Sequence, residues 1–352
     1  MHEQAISLLG RLIATPSPSR QEEHTAALLW THCREQGWQP QRIGNNVWAQ
    51  SPVFQPHKPT LLLCSHHDTV QAAKGYTREP YSPVIEDGKL YGLGSNDAGG
   101  PLVCLMAAFG ALRQQDLPFN LVLALCAEEE VSGNEGLKLA LTQMPHIDMA
   151  IVGEPTSLQA AVGERGLLVI DGEAIGISGH AAREEGVNAL YKALHDIERL
   201  RNYRFPKASE VMGSVHLQVT QIHAGTQHNV VPDLCRFVVD VRSTDVYTNQ
   251  EILDLLQSRV ESRLTARSLH HNASATPLDS PLRQAIAATG LTSYISPTTS
   301  DWIQLSCPAV KLGPGDSSRS HTADEYIHID QIRRGIDTYI RFIKNIPHGT
   351  LD

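Results

Sequence analysis

The 352-residue chain combines 29 Lys and Arg with 38 Asp and Glu, which gives a net charge of −9 with its 17 His neutral. Proteins that bind nucleic acid show a clustered excess of basic residues, so this balance argues against that class. With 41% hydrophobic and 19% charged residues, the composition is that of a folded chain, and the length favours two domains over one.

No stretch approaches 18 uninterrupted apolar residues, and the first ten residues lack a basic region followed by an apolar one. The sequence therefore predicts neither a membrane span nor a secretory signal, and we expect a cytoplasmic protein with no membrane partner. The six Cys lack the CxxC spacing of thiolate metal sites, and several lie in apolar runs. We expect buried free thiols, and His and carboxylate ligands for any metal.

The first part of the chain alternates helices and strands. Apolar residues at helical intervals predict a helix, turn and helix over 3–37, with Ser19 as a candidate cap of the second helix. There follow a predicted strand at 60–64, a helix at 102–112, and strands at 121–126 and 149–152. Continuous apolar strands separated by helices indicate a sheet that is covered by helices on both faces.

The pattern changes after about residue 162. It predicts, in order, a strand at 167–177, a helix at 188–200, strands at 215–222 and 235–242, and a helix at 249–266. This order is typical of a small open-faced α+β domain. The end of the chain returns to the first style, with a helix at 280–289, a strand at 309–312 and a helix at 330–344. We therefore predict a discontinuous α/β/α domain of residues 1–162 and 273–352, with a second domain of residues 163–272 inserted.

The first of five polar motifs follows the strand at 60–64, where His66 and Asp68 are two residues apart. Residues i and i+2 of an extended segment face the same side, so these two side chains can lie together while His67 points elsewhere. A His that is oriented by a carboxylate is a common metal ligand. By itself, this motif is equally well explained as a polar strand end.

Four further motifs place carboxylates or His after strands or in loops. They are Asp97 in the Gly-rich segment 92–100, the run Glu128-Glu129-Glu130, Glu154, and His321 in the loop 317–326. Each alone is explained by a helix cap or a solvated loop. Together they supply His and carboxylate donors at strand ends of one domain, where open α/β sheets bind ligands. Such a set without thiolates fits zinc or a similar divalent ion in a hydrolytic site.

The order of these motifs, HxD, GxGxxD, EE, GEPT and SHT, resembles that of the co-catalytic zinc hydrolases. That family includes acetylornithine deacetylase, succinyl-diaminopimelate desuccinylase, aminoacylase and several carboxypeptidases and dipeptidases. The resemblance covers essentially the whole chain, and it is closest to the short acetylornithine deacetylase type. The runs that carry it lie at 94–99, 152–156, 224–232 and 318–323.

The resemblance implies a three-layer α/β/α zinc-hydrolase domain with a site for two divalent ions. The implied ligands are His66 and Glu154 for the first ion, Asp97 as the bridge, and Glu130 and His321 for the second. Asp68 would lie behind the first His, and Glu129 would be the general base. Because the run Ala-Glu-Glu-Glu departs from the usual Asp-Glu-Glu, Glu128 is the alternative base. Zinc is the expected metal, with cobalt or manganese as alternatives.

An insert that is attached by two chain crossings, near residues 162 and 272, can hinge, and we therefore expect it to act as a lid over the substrate. The resemblance implies that it also forms the contact of a homodimer. His180 would stabilise the oxyanion, in dimers from the partner subunit, and Arg165, Asn229 and Arg242 match positions that bind the substrate carboxylate. The alternatives are a residue at the start of a helix for His180 and surface ion pairs for the two Arg.

A metal-dependent amidohydrolase that removes an N-acyl group from an amino acid is therefore expected. The implied reaction converts N-acetyl-L-ornithine and water to L-ornithine and acetate, in arginine biosynthesis. Other candidate substrates are N-acetylcitrulline, N-succinylornithine, succinyl-diaminopimelate and small peptides, and a different class is a catalytically silent binding subunit. A succinyl group needs an extra cation, and the sequence leaves open whether Arg183 or Arg319 supplies it.

Overall fold

The computed structural model describes residues 1–183 and 185–347. The α-helices within them are α1 (His2–Ile13), α2 (Glu23–Glu35), α3 (Gly100–Leu112), α4 (Leu137–Leu141), α5 (Ala189–Asn202), α6 (Asn249–Gln257), α7 (Pro281–Thr289) and α8 (Ile329–Lys344). The strands are β1 (Gln41–Ile43), β2 (Asn46–Gln50), β3 (Thr60–His66), β4 (Val84–Glu86), β5 (Lys89–Tyr91), β6 (Asn120–Cys126), β7 (Met149–Gly153), β8 (Ala160–Glu164), β9 (Gly166–Ile175), β10 (Gly179–His180), β11 (His216–Ala224), β12 (Val230–Val231), β13 (Leu234–Ser243), β14 (Arg263–Ala266), β15 (Ser274–Ala275), β16 (Ser293–Ser296), β17 (Ala309–Leu312) and β18 (Tyr326–His328).

The chain divides into two compact units. The first consists of Met1–Val162, Thr276–Tyr294 and the chain from Ser300 onward, and the second consists of Gly163–Ala275 and Ile295–Thr299. The inserted segment of the second unit thus ends at 275 rather than at the predicted 272, and a short piece from the C-terminal part of the chain joins it.

The first unit is built on a sheet with the strand order β1-β2-β6-β3-β7-β17-β8. Strands β3, β6 and β7 are buried along their whole length, as their continuous apolar sequences predicted. On one face, α3 packs so closely that a Cβ at Gly153 would lie 2.6 Å from Leu105 Cδ1. On the other face, Leu62 and Val152 pack in one cluster with Leu137 of α4. The predicted three-layer α/β/α arrangement is confirmed.

The parallel strands of this sheet bring distant parts of the chain to one edge. Strand β3 pairs in parallel with β6 and β7, and β17 pairs in parallel with β7. His66 is the last residue of β3, and the segments that carry Glu129 and Glu154 follow β6 and β7. Because the carboxyl ends of parallel strands meet at the same edge, the sheet gathers these side chains.

The second unit contains an antiparallel sheet with the order β11-β13-β9-β14. Alternate residues of β9 and β13 are buried, and they form a core with α5 and α6 that includes Ile170, Phe237 and Ile252. Helices on one face of an antiparallel sheet make the predicted open-faced α+β unit, and this prediction is confirmed as well.

The predicted helix over 249–266 is wrong in its second half. Helix α6 ends at Gln257, and Arg263–Ala266 form β14, which pairs with β9. The Gln257 side chain accepts a hydrogen bond from Leu264 N (2.8 Å) and donates one to Ser262 O (3.0 Å). These bonds reverse the chain after the helix, so the apolar residues that looked helical instead alternate along a strand.

Ser19 does not cap α2. That helix begins after Glu22, no side chain caps it, and the Ser19 hydroxyl instead donates to Asp68 Oδ2 at 2.7 Å. The preceding segment pairs with the chain beyond β3, because Thr69 N donates to Ser17 O at 2.9 Å. The charged, fully buried carboxylate of Asp68 is a stronger hydrogen-bond acceptor than a neutral group. This explains why the Ser19 hydroxyl bonds to Asp68 and does not cap the helix.

All six cysteines are free, and five of them are buried, as expected from their apolar surroundings. Burial raises the pKa of Cys33 to about 12 and that of Cys307 to about 11. Such thiols are poor metal ligands at neutral pH.

Among the described residues, none of the helices is both long and apolar enough to cross a membrane.

Replacing Asp196 by Ala is expected to destabilise the second unit by about 2–4 kcal/mol. The buried Asp196 carboxylate accepts hydrogen bonds from Ser262 N (2.8 Å), Ser262 Oγ (2.6 Å) and Glu261 N (3.2 Å). Its loss leaves these donors without this acceptor. Denaturant unfolding measures the change. The control is Asp254→Ala, which removes an exposed bond to Gln250 and is expected to shift stability by at most about 0.5 kcal/mol. Equal losses in both variants would contradict the assignment.

Candidate metal centre

His66 lies at the centre of a cluster of carboxylates. Its Nε2 atom is 3.3 Å from Asp97 Oδ1 and 3.8 Å from both Glu129 Oε2 and Glu154 Oε1. The imidazole Nδ1 is 3.0 Å from the backbone oxygen of Asp68. Because a carbonyl oxygen only accepts, Nδ1 carries a proton, and Nε2 is the ring nitrogen that faces the carboxylates. When the ring is neutral, this arrangement leaves the Nε2 lone pair for a cation, as a metal ligand requires.

His321 approaches the same cluster from the loop before β18. Its Nε2 atom is 2.9 Å from Glu130 Oε2 and 3.7 Å from Asp97 Oδ2. Asp97 therefore faces His66 with one carboxylate oxygen and His321 with the other. A carboxylate that faces one His with each oxygen has the position that a bridge between two cation sites requires.

Asp68 holds the segment that follows β6. Its Oδ1 accepts a hydrogen bond from Glu129 N at 3.0 Å, and its Oδ2 accepts one from Glu130 N at 3.1 Å. The same carboxylate is 3.4 Å from His66 Nδ1, which is farther than the backbone oxygen of Asp68. Its side chain thus fixes the backbone that carries two of the predicted functional carboxylates, and its role behind His66 stays a prediction.

Glu128 is held apart from the cluster. Its backbone N–H donates to the buried Glu22 carboxylate at 3.2 Å, and its own carboxylate accepts from Glu135 N at 3.3 Å. A Cβ at Gly133 would collide with this carboxylate, so the side chain lies against that turn. Of the two candidate bases, Glu129 is the one whose carboxylate lies near His66.

His67 faces away from the cluster, as its place between His66 and Asp68 predicted. Its Nδ1 atom is 2.9 Å from Thr25 Oγ1, and its Nε2 donates to Asn45 O at 3.0 Å. Both ring nitrogens have partners outside the cluster. Burial lowers the pKa of His67, which keeps the ring neutral in this position.

The pKa shifts reflect carboxylates crowded in a buried space. Burial alone would lower the pKa of His66, but Glu129, Asp68 and Asp97 outweigh it and raise that pKa well above its usual value. Burial raises the pKa of Glu129, and the charge of Glu154 raises it further. The charge of His66 acts in the opposite direction but is outweighed. The hydrogen bond to Glu130 raises the pKa of His321 to about 9. Cations would relieve this repulsion.

The donor set fits divalent cations. Two groups, His66 with Glu129 and Glu154, and His66 with Asp97 and Glu130, each have ligand atoms within 4.8 Å of one another. All donors are imidazole nitrogens or carboxylate oxygens, which suit zinc and similar divalent ions. These groups contain four of the predicted residues and also Glu129, and the fifth predicted ligand, His321, joins them through its Nε2 atom, 2.9 Å from Glu130 Oε2. The assignment of His66, Asp97, Glu130, Glu154 and His321 as the ligands, with Glu129 as the base, stays a prediction.

Sequence reasoning missed two buried carboxylates that hold the loops of the cluster. Glu325 accepts hydrogen bonds from the backbone N–H of Asp97 and its neighbours, and Glu22 accepts from Glu128 N. Burial and the charge of Asp97 raise the pKa of Glu325 to about 7, against the effect of its N–H donors. Among the described residues, all but one of the donors to these two carboxylates are backbone N–H groups, which carry no residue identity, and the exception is the Asn45 side chain, which donates to Glu22 at 3.0 Å. Spacing therefore gave no signal for either residue.

In the second unit, two of the predicted substrate residues are neighbours. Strands β10 and β12 pair His180 with Val230, and Ala181 N donates to Asn229 O at 3.1 Å. The His180 Nδ1 atom accepts a hydrogen bond from Ala182 N at 3.2 Å, which leaves Nε2 as its donor. The substrate roles of His180 and Asn229 stay predictions.

The two predicted Arg have partners within the second unit. Arg165 donates to the backbone oxygens of Ser214 (3.0 Å) and Met212. Arg242 makes a two-bond ion pair with Asp240, at 2.8 and 3.0 Å. This pair matches the alternative interpretation of a strand-end ion pair, and both substrate roles stay predictions.

Known proteins share this fold. Aminopeptidase PepT from Bacillus cereus superposes with a TM-score of 0.78 at 17% identity, covering 98% of this chain and 99% of that one. The YXEP protein of Bacillus subtilis, described as a dinuclear metal binding peptidase, superposes at 0.70 with 15% identity and 98% and 97% coverage. An acetylornithine deacetylase of Klebsiella pneumoniae is 31% identical over 92% of both chains.

The family comparison covers most of the first unit and the whole insert. Residues 62–345 match the model of Peptidase family M20/M25/M40, a span that includes all five candidate ligands and Glu129. The chain therefore belongs to Peptidase family M20/M25/M40 and is a metal-dependent hydrolase.

Proposed function

We propose that this hydrolase removes the acyl group from an N-acyl amino acid, with N-acetyl-L-ornithine as substrate and L-ornithine and acetate as products. The observation that carries the proposal is the position of Glu129, whose carboxylate lies 3.8 Å from His66 Nε2 beside the candidate ligands. Support for the ornithine substrate comes from the Klebsiella relative, which is named acetylornithine deacetylase and shares 31% of its residues.

The reaction adds water to the amide, so a C–O bond forms and the C–N bond breaks. Two bound divalent ions would polarise the carbonyl group and make the attacking water more acidic. Glu129 takes a proton from that water and returns it to the departing amine. Asp68 keeps the base in place through the hydrogen bond from Glu129 N.

Zinc is the metal of this proposal, with cobalt and manganese as alternatives. Two divalent ions carry four positive charges, which equal the four negative charges of Asp97, Glu129, Glu130 and Glu154. A buried site is most stable when its charges balance, and a single ion together with a protonated His321 would still leave one negative charge uncompensated. The charge count therefore supports two ions.

An acetyl rather than a succinyl group is favoured by the contacts of Arg319. Its guanidinium donates to Tyr326 O (3.2 Å) and Gln331 Oε1 (3.1 Å) and lies 4.8 Å from the centre of the Tyr326 ring. These partners leave it a poor cation for the second carboxylate of a succinyl substrate. Arg183 stays the alternative for that role.

The inserted unit is part of the proposal as the source of further substrate contacts. His180 would donate to the developing oxyanion, and Asn229, Arg165 and Arg242 would bind the substrate carboxylate. The backbone hydrogen bond between Ala181 N and Asn229 O supports a joint role of His180 and Asn229.

The predicted homodimer is supported by apolar side chains of α5 that face solvent, since Tyr191 is 70% and Leu194 is 49% exposed.

The proposal is tested by comparing substrates with the purified zinc-loaded protein. We expect kcat/KM for N-acetylornithine to exceed that for N-acetylcitrulline, N-succinylornithine, succinyl-diaminopimelate and a dipeptide by about tenfold or more. The matched control is the same preparation treated with a chelator, which is expected to lose all hydrolysis and to regain it with zinc. A preference for the succinyl substrates would contradict the acetyl assignment, and no hydrolysis of any substrate would indicate a silent binding subunit.

A further inference from the structure

Glu325 ends the loop that carries His321, and its carboxylate is buried against the Gly-rich loop of Asp97. Only 2% of the residue is exposed. Its Oε1 accepts hydrogen bonds from Asn96 N (2.8 Å) and Asp97 N (3.0 Å), and its Oε2 accepts one from Gly94 N (3.0 Å). Both oxygens are thus used to hold backbone groups on one loop.

The two loops are joined at further points. The backbone oxygen of Glu325 accepts from Gly92 N at 2.9 Å. At the other end of the His321 loop, the Asn96 side chain accepts from Asp316 N (2.9 Å) and donates to Asp316 O (3.1 Å). The Asp97 loop is therefore bonded to the His321 loop at points that lie both before and after His321 in the chain.

Among these links, the Glu325 carboxylate is the one that bonds directly to the N–H of Asp97. Hydrogen bonds from N–H groups to a carboxylate are about twice as strong as those between neutral groups. Partners that orient metal ligands in this way typically contribute about 10–100-fold to metal affinity. Glu325 itself faces backbone groups and is not one of the candidate ligands.

We propose that Glu325 is a positioning residue that fixes the bridging carboxylate of Asp97 relative to His321, and thereby sets the affinity of the second cation. That cation is the one assigned to Asp97, Glu130 and His321. The inference rests on the proposed two-ion site. It deepens that proposal because it names the side chain that holds the loop of Asp97 and the loop of His321 together.

The test is the substitution Glu325→Gln, which keeps the size of the side chain but replaces one acceptor oxygen by a donor. Whichever way the amide is turned, its NH₂ group faces at least one of the three backbone N–H groups. We expect the affinity for the weaker-binding Co²⁺ or Zn²⁺ ion to fall by about 10–100-fold, with the first ion retained. Calorimetric titration and the visible absorption of bound Co²⁺ measure both steps.

The matched control is Asp324→Asn, the adjacent carboxylate of the same loop. Its oxygens also accept three hydrogen bonds, from Thr77 N (2.9 Å), Thr77 Oγ1 (2.6 Å) and Arg78 N (3.0 Å), but these lie on a segment without candidate ligands. We expect this variant to bind both ions as the unaltered protein does.

For Glu325→Gln, excess metal is expected to restore the turnover, with KM little changed.

The inference is overturned if Glu325→Gln binds both ions with unaltered affinity, or if Asp324→Asn loses as much. Should Glu325→Gln fail to fold, Glu325→Asp takes its place, and the same two results decide. Failure of the proposed function looks different, because the unaltered protein would then not bind two ions or would hydrolyse none of the acyl amino acids.

Discussion

Replacing Glu129 by Gln is expected to lower kcat for acyl amino acid hydrolysis by about 10²–10⁴-fold, the usual contribution of a general base. Gln matches Glu in size, but its amide cannot take a proton from water at neutral pH. The segment should stay in place, because Asp68 accepts from the backbone N–H of residue 129 rather than from its side chain. KM and metal content, measured on the same preparation, are expected to change little.

The control for this result is Glu128→Gln. It makes the same chemical change one residue earlier, where the carboxylate accepts from Glu135 N and does not lie in the cluster. We expect kcat to stay close to that of the unaltered protein, with at most a lower stability from the weakened turn. The opposite pattern, with turnover lost at 128 and kept at 129, would make Glu128 the base.

The second large effect is expected for Asp97→Asn, which should reduce the bound metal from two ions to one or none and lower hydrolysis by about 10³-fold or more. The two carboxylate oxygens face His66 at 3.3 Å and His321 at 3.7 Å, so the substitution turns one of them into an NH₂ group that cannot bind a cation. Element analysis after dialysis gives the metal content, and initial rates give the turnover.

Asp116→Asn is the control for Asp97→Asn. It removes the same charge from an exposed ion pair with Lys58, which bonds at 2.8 Å on the surface of the first unit. Any effect of net charge on metal uptake is common to both variants, whereas the loss of a bridging ligand is not. If Asp97→Asn kept two ions and normal turnover, Asp97 would not be the bridge.

The main strands of the first unit, and the meeting of three candidate site residues at one edge of its sheet, could be predicted because both follow local patterns. Strands β3, β6 and β7 are apolar runs without polar alternation, and this pattern is typical of buried parallel strands. His66 ends one of these strands, and Glu129 and Glu154 follow the next two. Strand ends of a parallel sheet meet in space, so position along the chain was sufficient to predict that these three residues lie together. Their division into ligands and base came from the resemblance to the co-catalytic zinc hydrolases.

The rest depends on contacts between residues that are far apart in sequence. The strand β14 was predicted as helix because its partner β9 and the buried carboxylate of Asp196 lie far earlier in the chain. The roles of Glu22 and Glu325 were missed for a related reason, since both bind backbone N–H groups of distant loops. Periodicity describes which face of an element is apolar, but it carries no record of such partners.

Strand β17 has a consequence for the synthesis of the protein on the ribosome. It lies between β7 and β8 in the sheet, yet its first residue, Ala309, is made 156 residues after Gly153, the last of β7. At about 5–20 residues per second, the edge of β7 waits roughly 8–30 s for its neighbour. During that interval its backbone N–H and C=O groups are open to pairing with another nascent chain. The sheet that gathers the candidate metal ligands is thus completed only after the whole inserted segment has been made.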